Sequence, residues 1–335
     1  MKIAIIGTGR IGRVHIKNIS TAVSELEIKI VADPFIDKEG EDYVKEFGIP
    51  VVTKDVDSIF ADPEIAAVLI CSSTDTHYDY IIKSAAAGKH IFCEKPVDHD
   101  VKRVKKALEV VKQSGVKMQI GFNRRFDHNH RGVYEAVRKG QIGNPHILKI
   151  TSRDPAPPTI EYVKKSGGIF YDMMIHDFDM IRFLAGCEAT EVYTNGAVLI
   201  DSAIGKENDV DTALVTLTFE NGAIGVIDNS RQAVYGYDQR IEVFGSKGAA
   251  LDENDIPNTV TVMGENGAVS GTAYKIMWDR YTQSFIAEMK SFADAVKNNK
   301  DPEVTDKDGL YPVLMAAAAK KSLEERRPVK LSEVE

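Results

Sequence analysis

Three side chains in the stretch GGIFYDMMIHDFDMIRFL (residues 167–184) have the types and spacing to share one chemical task. Asp172, His176 and Asp179 stand at i, i+4 and i+7, which places them on one face of a helix. An imidazole exchanges protons near neutrality, and a neighbouring carboxylate can orient the ring or relay the proton. The rest of the stretch is mostly apolar. It has no Pro, and no Gly separates Gly168 from Gly186, so a single, mostly buried helix is expected, capped at the glycine pair. Ion pairs inside a buried helix would leave the same stripe without any chemistry. The choice depends on what the rest of the chain builds around it.

The first half alternates strands and helices. KIAIIG (2–7), LEIKIVAD (26–33), AVLIC (67–71), HIFCE (90–94) and KMQIG (117–121) are short runs of strand type. Between them lie helical patterns such as RVHIKNIS, THYDYIIKSAAAG and DVKRVKKALEVVKQSG. This alternation predicts a doubly wound parallel sheet with helices on both faces, ending near residue 122. Gly7, Gly9 and Gly12 spell G-x-G-x-x-G between the first strand and the first helix. In that context the first glycine allows a tight turn, the second lets backbone approach a pyrophosphate, and the third lets helix and strand pack closely. The helix N-terminus then offers free N–H groups to the phosphates. Asp33 closes the second strand, 21 residues after Gly12, where a carboxylate accepts the ribose hydroxyls of NAD and repels a 2′-phosphate. A structural turn and a capping aspartate would explain the same residues, but not their common register with the strand.

The second half reads differently. VDTALVTLTFENGAIGVIDNSR alternates apolar and polar residues around Glu-Asn-Gly, a hairpin pattern. QRIEVFGSKGAALD repeats it, NTVTVMG adds a strand, and HILKITSRD (146–154) starts the sheet. Helices are expected at about 278–298 and 306–325. The prediction is a Rossmann domain over 1–122, followed over 123–335 by an α+β domain with a large, mostly antiparallel sheet. One face of that sheet would be covered by helices, and the other would be solvated or buried between subunits.

Composition narrows the functional classes. The chain has 335 residues, 43% hydrophobic and 27% charged, with a net charge of −8, which argues against nucleic acid as a partner. Its three cysteines, Cys71, Cys93 and Cys187, show no C-x-x-C spacing, so neither a disulfide framework nor a zinc site is expected. MKIAIIGTGRIG is neither a secretory leader nor a membrane span, so a cytoplasmic protein is expected. His128 and His130 in FDHNH could suggest a metal; a solvated pair in a loop is the expectation.

E-K-P at 94–96 directly follows a strand, which puts Lys95 at a carboxyl end of the parallel sheet, where ligands of such sheets bind. Most lysines are simply surface residues. Together, however, G-x-G-x-x-G, E-K-P and G-G-x(3)-D-x(3)-H-x(2)-D resemble the Gfo/Idh/MocA oxidoreductases, and the resemblance covers essentially the whole chain. GFNRRFD (121–127) and RQAVYGYDQRIEVFGSKG (231–248) are similar to segments of the inositol-oxidising members. The resemblance implies NAD-dependent oxidation of myo-inositol to 2-keto-myo-inositol. It assigns His176 as base, Asp172 as its neighbour, and Lys95 as donor to the reacting oxygen. Asn123, Arg124, Asp154, Asp179, Tyr235 and Tyr237 join these three as polyol contacts. Around the cofactor it implies Arg10, Ile11, Cys71, Ser72, Ser73, His77, Glu94 and Lys95, with Gly7, Gly9, Gly12 and Asp33 already named. A homotetramer formed through the second-domain sheets is implied as well; the composition and motifs read above give no metal, nucleic acid or membrane as an expected partner. Inositol-oxidising members often have a nonpolar residue in place of Asn123 and Asn in place of Asp154, so the preferred isomer stays open. A dehydrogenase for another inositol or an aldose would use the same three catalytic residues. A sensor without catalysis could keep the glycines but would have no need of Lys95, Asp172 and His176.

Overall fold

The computed structural model describes residues 1–335 and resolves into two units, 1–126 with 282–313 and 127–281 with 314–335. The first unit is organised around β1 (Lys2–Ile6), whose Ile3, Ala4, Ile5 and Ile6 are inaccessible to solvent. The chain continues through α1 (Arg10–Ala22), β2 (Glu27–Ala32), α2 (Lys38–Glu46), β3 (Val51–Thr53), α3 (Asp57–Ala61), β4 (Ala67–Ile70), α4 (Thr74–Ala86), β5 (His90–Glu94), α5 (Val101–Ser114) and β6 (Met118–Gly121). The six strands pair in parallel in the order β3-β2-β1-β4-β5-β6. Central strands of such a sheet are buried on both faces, which is why β1 and β4 read as unbroken apolar runs. The order reverses between β1 and β4, and the loops after their carboxyl ends form the switch point where ligands bind. β3 is an addition to the five strands read from sequence; three residues are too few to show a period. Met289, Phe292 and Ala293 share one core with Ile5, Leu69 and Phe92, so the unit recruits a segment far along the chain that a single boundary does not foresee.

The second unit begins with α6 (His128–Arg138), β7 (Pro145–Arg153), α7 (Ile160–Ser166), α8 (Ile169–Asp172) and α9 (Ile175–Ala185). Next come β8 (Ala189–Ala197), α10 (Ser202–Lys206), β9 (Thr212–Phe219), β10 (Ile224–Ser230), β11 (Asp238–Gly245), β12 (Gly248–Asp252), β13 (Thr261–Gly264) and β14 (Gly267–Ser270). Helices α11 (Met277–Lys297) and α12 (Asp306–Glu325) and the short β15 (Val329–Lys330) complete the chain. The large sheet runs β12-β11-β7-β10-β9-β8-β15. It is mostly antiparallel, with one parallel pair, β7 and β10, at its middle. β9 shows the expected alternation, with Ala213, Val215, Leu217 and Phe219 buried and Leu214, Thr216 and Thr218 exposed. Helices α6 and α9 pack on the sheet at β7, β11 and β12.

Two sequence expectations change. NTVTVMG does form a strand, β13, but it pairs only with β14 in a separate two-stranded hairpin. The single helix expected over 167–184 is two helices. The N–H groups of Met173 (3.1 Å) and Met174 (2.8 Å) both donate to Ile169 O, which ends α8 and lets α9 restart on a shifted phase. No helix is long and apolar enough to cross a membrane.

Candidate active site

The glycine motif forms the cradle that its spacing predicts. Gly7 has φ +100°, and a Cβ there would lie 2.8 Å from Cys71 O. A Cβ on Gly12 would lie 2.1 Å from Gly7 O, so only glycine lets α1 approach β1 this closely. Gly9 is the N-cap of α1, and a Cβ built on it would meet nothing within 4 Å. The first turn of α1, which includes Arg10 and Ile11, has no acidic residue and no side-chain cap, so its N–H groups suit an anion. Asp33 directly follows β2. Its Oδ2 accepts from Thr8 N (2.8 Å) and Thr8 Oγ1 (2.7 Å), and its Oδ1 accepts from Phe35 N (2.9 Å). These bonds hold the carboxylate beside the phosphate loop, and its remaining lone pairs can accept ribose hydroxyls. The residues present therefore fit a dinucleotide.

On the far side of the switch point, Cys71 is buried, Ser72 Oγ lies 2.7 Å from Thr76 Oγ1, and Ser73 caps α4. Burial pushes the Cys71 thiol well above its ordinary pKa. Lys95 sits in a turn held on both flanks by buried imidazoles. His15, fully buried on α1 with Phe92 and Phe285 edge-on to it, places Nε2 2.7 Å from Glu94 Oε1. His77 on α4 places Nδ1 2.7 Å from Pro96 O and Nε2 3.0 Å from Ser72 O. Burial pushes the His77 pKa down, against the pull of those two carbonyls. The His15–Glu94 bond is the main feature here that spacing could not reveal. Glu288 is also fully buried; burial first, and the Glu94 charge second, push its carboxyl well above the carboxylate range. Asn123 and Arg124 lie buried in a 3-10 turn (Asn123–Phe126) of the same unit, with Asn123 Nδ2 donating to Ser284 Oγ at 3.1 Å.

In the second unit the glycine pair has a structural reason. Gly167 ends α7 in the left-handed region, and a Cβ on Gly168 (φ +83°) would meet Asp209 Oδ1 at 2.8 Å. That oxygen instead accepts from Ile169 N at 3.0 Å and anchors the start of α8. Asp172, the last residue of α8, is held by both oxygens. Oδ1 accepts from the Tyr162 hydroxyl at 2.8 Å and Oδ2 from Arg231 Nη1 at 3.3 Å. Arg231 is almost fully buried, with Nη2 3.6 Å from Asp209 Oδ2. Sequence reasoning assigned no role to Tyr162, Arg231 or Asp209. His176 stands half-buried in the first turn of α9. Asp179 is buried, 3.8 Å from Arg182 Nη1, while Asp177 accepts from Asn229 Nδ2 at 2.9 Å.

Because β7 and β10 run parallel, both end at the same edge of the sheet. Asp154 follows β7, donating from N to Ser230 O (3.0 Å) and accepting at O from Ala233 N (2.6 Å). Arg231 follows β10 and reaches Asp172. Tyr235, about half exposed, donates to Asp238 Oδ2 (2.6 Å) and accepts from Arg153 Nη1 (3.1 Å). Burial, followed by the Asp238 bond, raises the Tyr235 pKa. Tyr237 is buried, its ring edge-on to Tyr281 at 5.9 Å. One end of the sheet thus gathers Asp154, Arg231 with Asp172, and the 233–237 loop.

The pair in FDHNH departs from the solvated loop expected. His128 begins α6 and is exposed, but His130 is buried, 2.9 Å from Asp252 Oδ2. Asp127, His130 and Asp252 approach one another closely enough to suggest a metal site. The buried Arg280 guanidinium bonds Asp127 and lies 3.9 Å from Asp252, supplying positive charge to these carboxylates. Burial alone would raise the Asp127 carboxyl; the Arg280 bond and neighbouring positive charge hold it below its ordinary value.

A parallel sheet with a glycine cradle, joined in one chain to an α+β unit with a polar sheet end, is the plan of a nicotinamide-dependent oxidoreductase. Residues 1–122 match the oxidoreductase family with an NAD-binding Rossmann fold, and residues 130–251 match the GFO/IDH/MocA C-terminal domain. The chain belongs to the Gfo/Idh/MocA oxidoreductases, and its first unit is an NAD-binding Rossmann domain. It is 47% identical to the myo-inositol 2-dehydrogenase of Thermotoga maritima over 100% of this chain and 99% of that protein. It is 42% identical to the inositol 2-dehydrogenase of Rhizobium meliloti over 99% of both chains. Its fold also matches the crystal structure of scyllo-inositol dehydrogenase from Lactobacillus casei with bound NAD(H) and scyllo-inositol, with a TM-score of 0.93, 31% identity and 99% of both chains covered.

Proposed function

We propose that this chain oxidises myo-inositol to 2-keto-myo-inositol. The observation that supports this most is the polar end of the large sheet, where Asp154, Asp172 and the 233–237 loop gather. A ring with a hydroxyl on every carbon satisfies many such partners at once. A polar side chain left unpaired on burial costs about 1–3 kcal/mol, so a ligand lacking the matching hydroxyl is penalised.

Bound NAD supplies the hydride acceptor. The protein residues handle the proton and the charge on oxygen. His176 takes the hydroxyl proton as general base. Asp172 orients the imidazole or passes the proton on. Lys95 donates to the reacting oxygen and favours the developing alkoxide. The fixed flanks of its turn, His15 on Glu94 and His77 on Pro96 O, support that positioning role. Arg124, Asn123, Asp154, Asp179, Tyr235 and Tyr237 select the polyol.

A panel of inositol isomers, glucose, galactose and open-chain polyols, with NADH formation read by absorbance, tests the assignment. Myo-inositol is expected to give the highest kcat/KM, and an aldose ranking above every inositol would refute it. Scyllo-inositol ranking first would keep the cyclitol class and change the isomer, an outcome that the Lactobacillus casei relative makes specific.

The same reading makes the protein a cytoplasmic homotetramer. Its three cysteines are free, as suits a reducing compartment. On the sheet face away from α6 and α9, Ile147 is in register with Ile224 and Phe244 on the two adjacent strands, and all three are exposed. An apolar cluster of this kind suits burial against a second copy. Sedimentation equilibrium is expected to give the mass of four chains; a monomer would refute the assembly.

A further inference from the structure

We propose that Tyr162 is a positioning residue for the reaction: with Arg231 it holds the Asp172 carboxylate by both oxygens, fixing the direction in which that group meets the imidazole and the substrate. The inference rests on the catalytic role proposed for Asp172 and goes beyond it, because neither Tyr162 nor Arg231 belongs to the motif that singles out Lys95, Asp172 and His176.

The geometry is specific. A carboxylate turns easily about its last torsion, so a catalytic one needs neighbours to fix it. The two donors approach Asp172 from different elements. Tyr162 lies on α7, and its hydroxyl is 2.8 Å from Oδ1. Arg231 follows β10, and its Nη1 is 3.3 Å from Oδ2. They also differ in their surroundings. The Arg231 guanidinium is almost fully buried between Asp172 and Asp209, and Asp209 in turn holds the first N–H of α8. That side is built into the fold. Tyr162 is more than a third exposed, on a seven-residue helix between the Pro-containing segment 154–159 and the Gly167–Gly168 pair. Because the side chain is partly exposed, removing its hydroxyl deletes the bond to Asp172 with little effect on packing. A hydrogen bond to a charged group is among the stronger ones, and its loss at a reacting centre is read directly as rate.

The test is a double-mutant cycle with myo-inositol and NAD: the unaltered protein, Tyr162→Phe, Asp172→Asn, and both together. Tyr162→Phe is expected to lower kcat roughly tenfold, with NAD affinity by fluorescence titration and the Tm unchanged. In the Asp172→Asn background the same change is expected to cost less than a further twofold, since the carboxylate it positions is gone. A purely structural tyrosine would cost the same in both backgrounds, and that additivity would overturn the proposal. So would a full kcat in Tyr162→Phe while Asp172→Asn is slow, a result that leaves the role of Asp172 standing. Normal turnover in Asp172→Asn would instead remove that role, and the proposal with it. Arg231→Lys, which keeps a cation, is expected to retain more kcat than Arg231→Met at matched Tm; equal losses would overturn the clamp on that side.

Discussion

The glycine cradle and the polar end of the large sheet are built from different materials. The cofactor cradle is mainly backbone: Gly7, Gly9 and Gly12 leave the space, the start of α1 offers N–H groups, and one carboxylate, Asp33, is fixed beside the turn by Thr8. The polar end of the second unit is built from side chains on α7, α8, β7 and β10, held by ion pairs and hydrogen bonds such as Arg231–Asp172 and Tyr162–Asp172. A ligand common to many enzymes can be held by backbone, which tolerates change in the surrounding sequence. A particular polyol needs donors and acceptors at particular points, and side chains vary that pattern more freely than backbone does.

The comparison breaks first at His176. His176→Ala should slow oxidation by roughly 10²–10⁴-fold, the range for losing general-base help, and leave NAD affinity intact. Stopped-flow hydride transfer and NAD titration on the same variant separate the two readouts. Near-normal turnover at neutral pH would make α9 a structural ion-pair helix. A smaller effect is expected at the cradle's one selective side chain. Asp33→Ser should shift the NADP:NAD preference roughly tenfold toward NADP, because the carboxylate that accepts ribose hydroxyls and repels phosphate is removed. Ratios of kcat/KM for the two cofactors measure this, and an unchanged ratio would separate Asp33 from cofactor choice.

The smallest effect concerns stability beneath the cradle. Glu288 is fully buried, with its carboxyl pushed up by burial and by Glu94. A carboxyl whose folded pKa lies above its unfolded value contributes stability that is fully present below the unfolded value and is lost as pH rises toward the folded one. Glu288→Gln removes that loss. Its Tm should match the unaltered protein near pH 4.5 and exceed it by a few degrees at pH 8, at about 2–4 °C for each kcal/mol. Parallel Tm-against-pH curves would contradict the burial argument.

The same contrast explains what could be read from the chain. The cradle was legible because its requirements are local: a strand, three glycines at fixed offsets and an acidic residue after the next strand. β1 and β4 were legible because burial on both faces leaves apolar runs, and β2, β5 and β6 because they are long enough to read as strand type, whereas β3 was too short. The Asp172–His176–Asp179 spacing assumed a geometry that the structure does not have. The three do not lie on one continuous helix, since the ladder shifts at Met173 and Met174, and Asp179 is buried beside Arg182. No sequence signal tied Tyr162 or Arg231 to Asp172. Arg231 reaches Asp172 across 59 positions of sequence, and only the parallel pairing of β7 and β10 shows which end of the sheet it joins. His15 likewise meets Glu94 79 positions away.

Isotope transfer tests the central claim most directly. Myo-inositol deuterated at carbon 2 is incubated with NAD and the protein, and both products are analysed by mass spectrometry. Direct hydride transfer from that carbon predicts one deuterium on the reduced nicotinamide and none on the 2-keto product. Unlabelled NADH together with a ketone that retains deuterium would show oxidation at another carbon, and absence of NADH would contradict the dehydrogenase reading altogether.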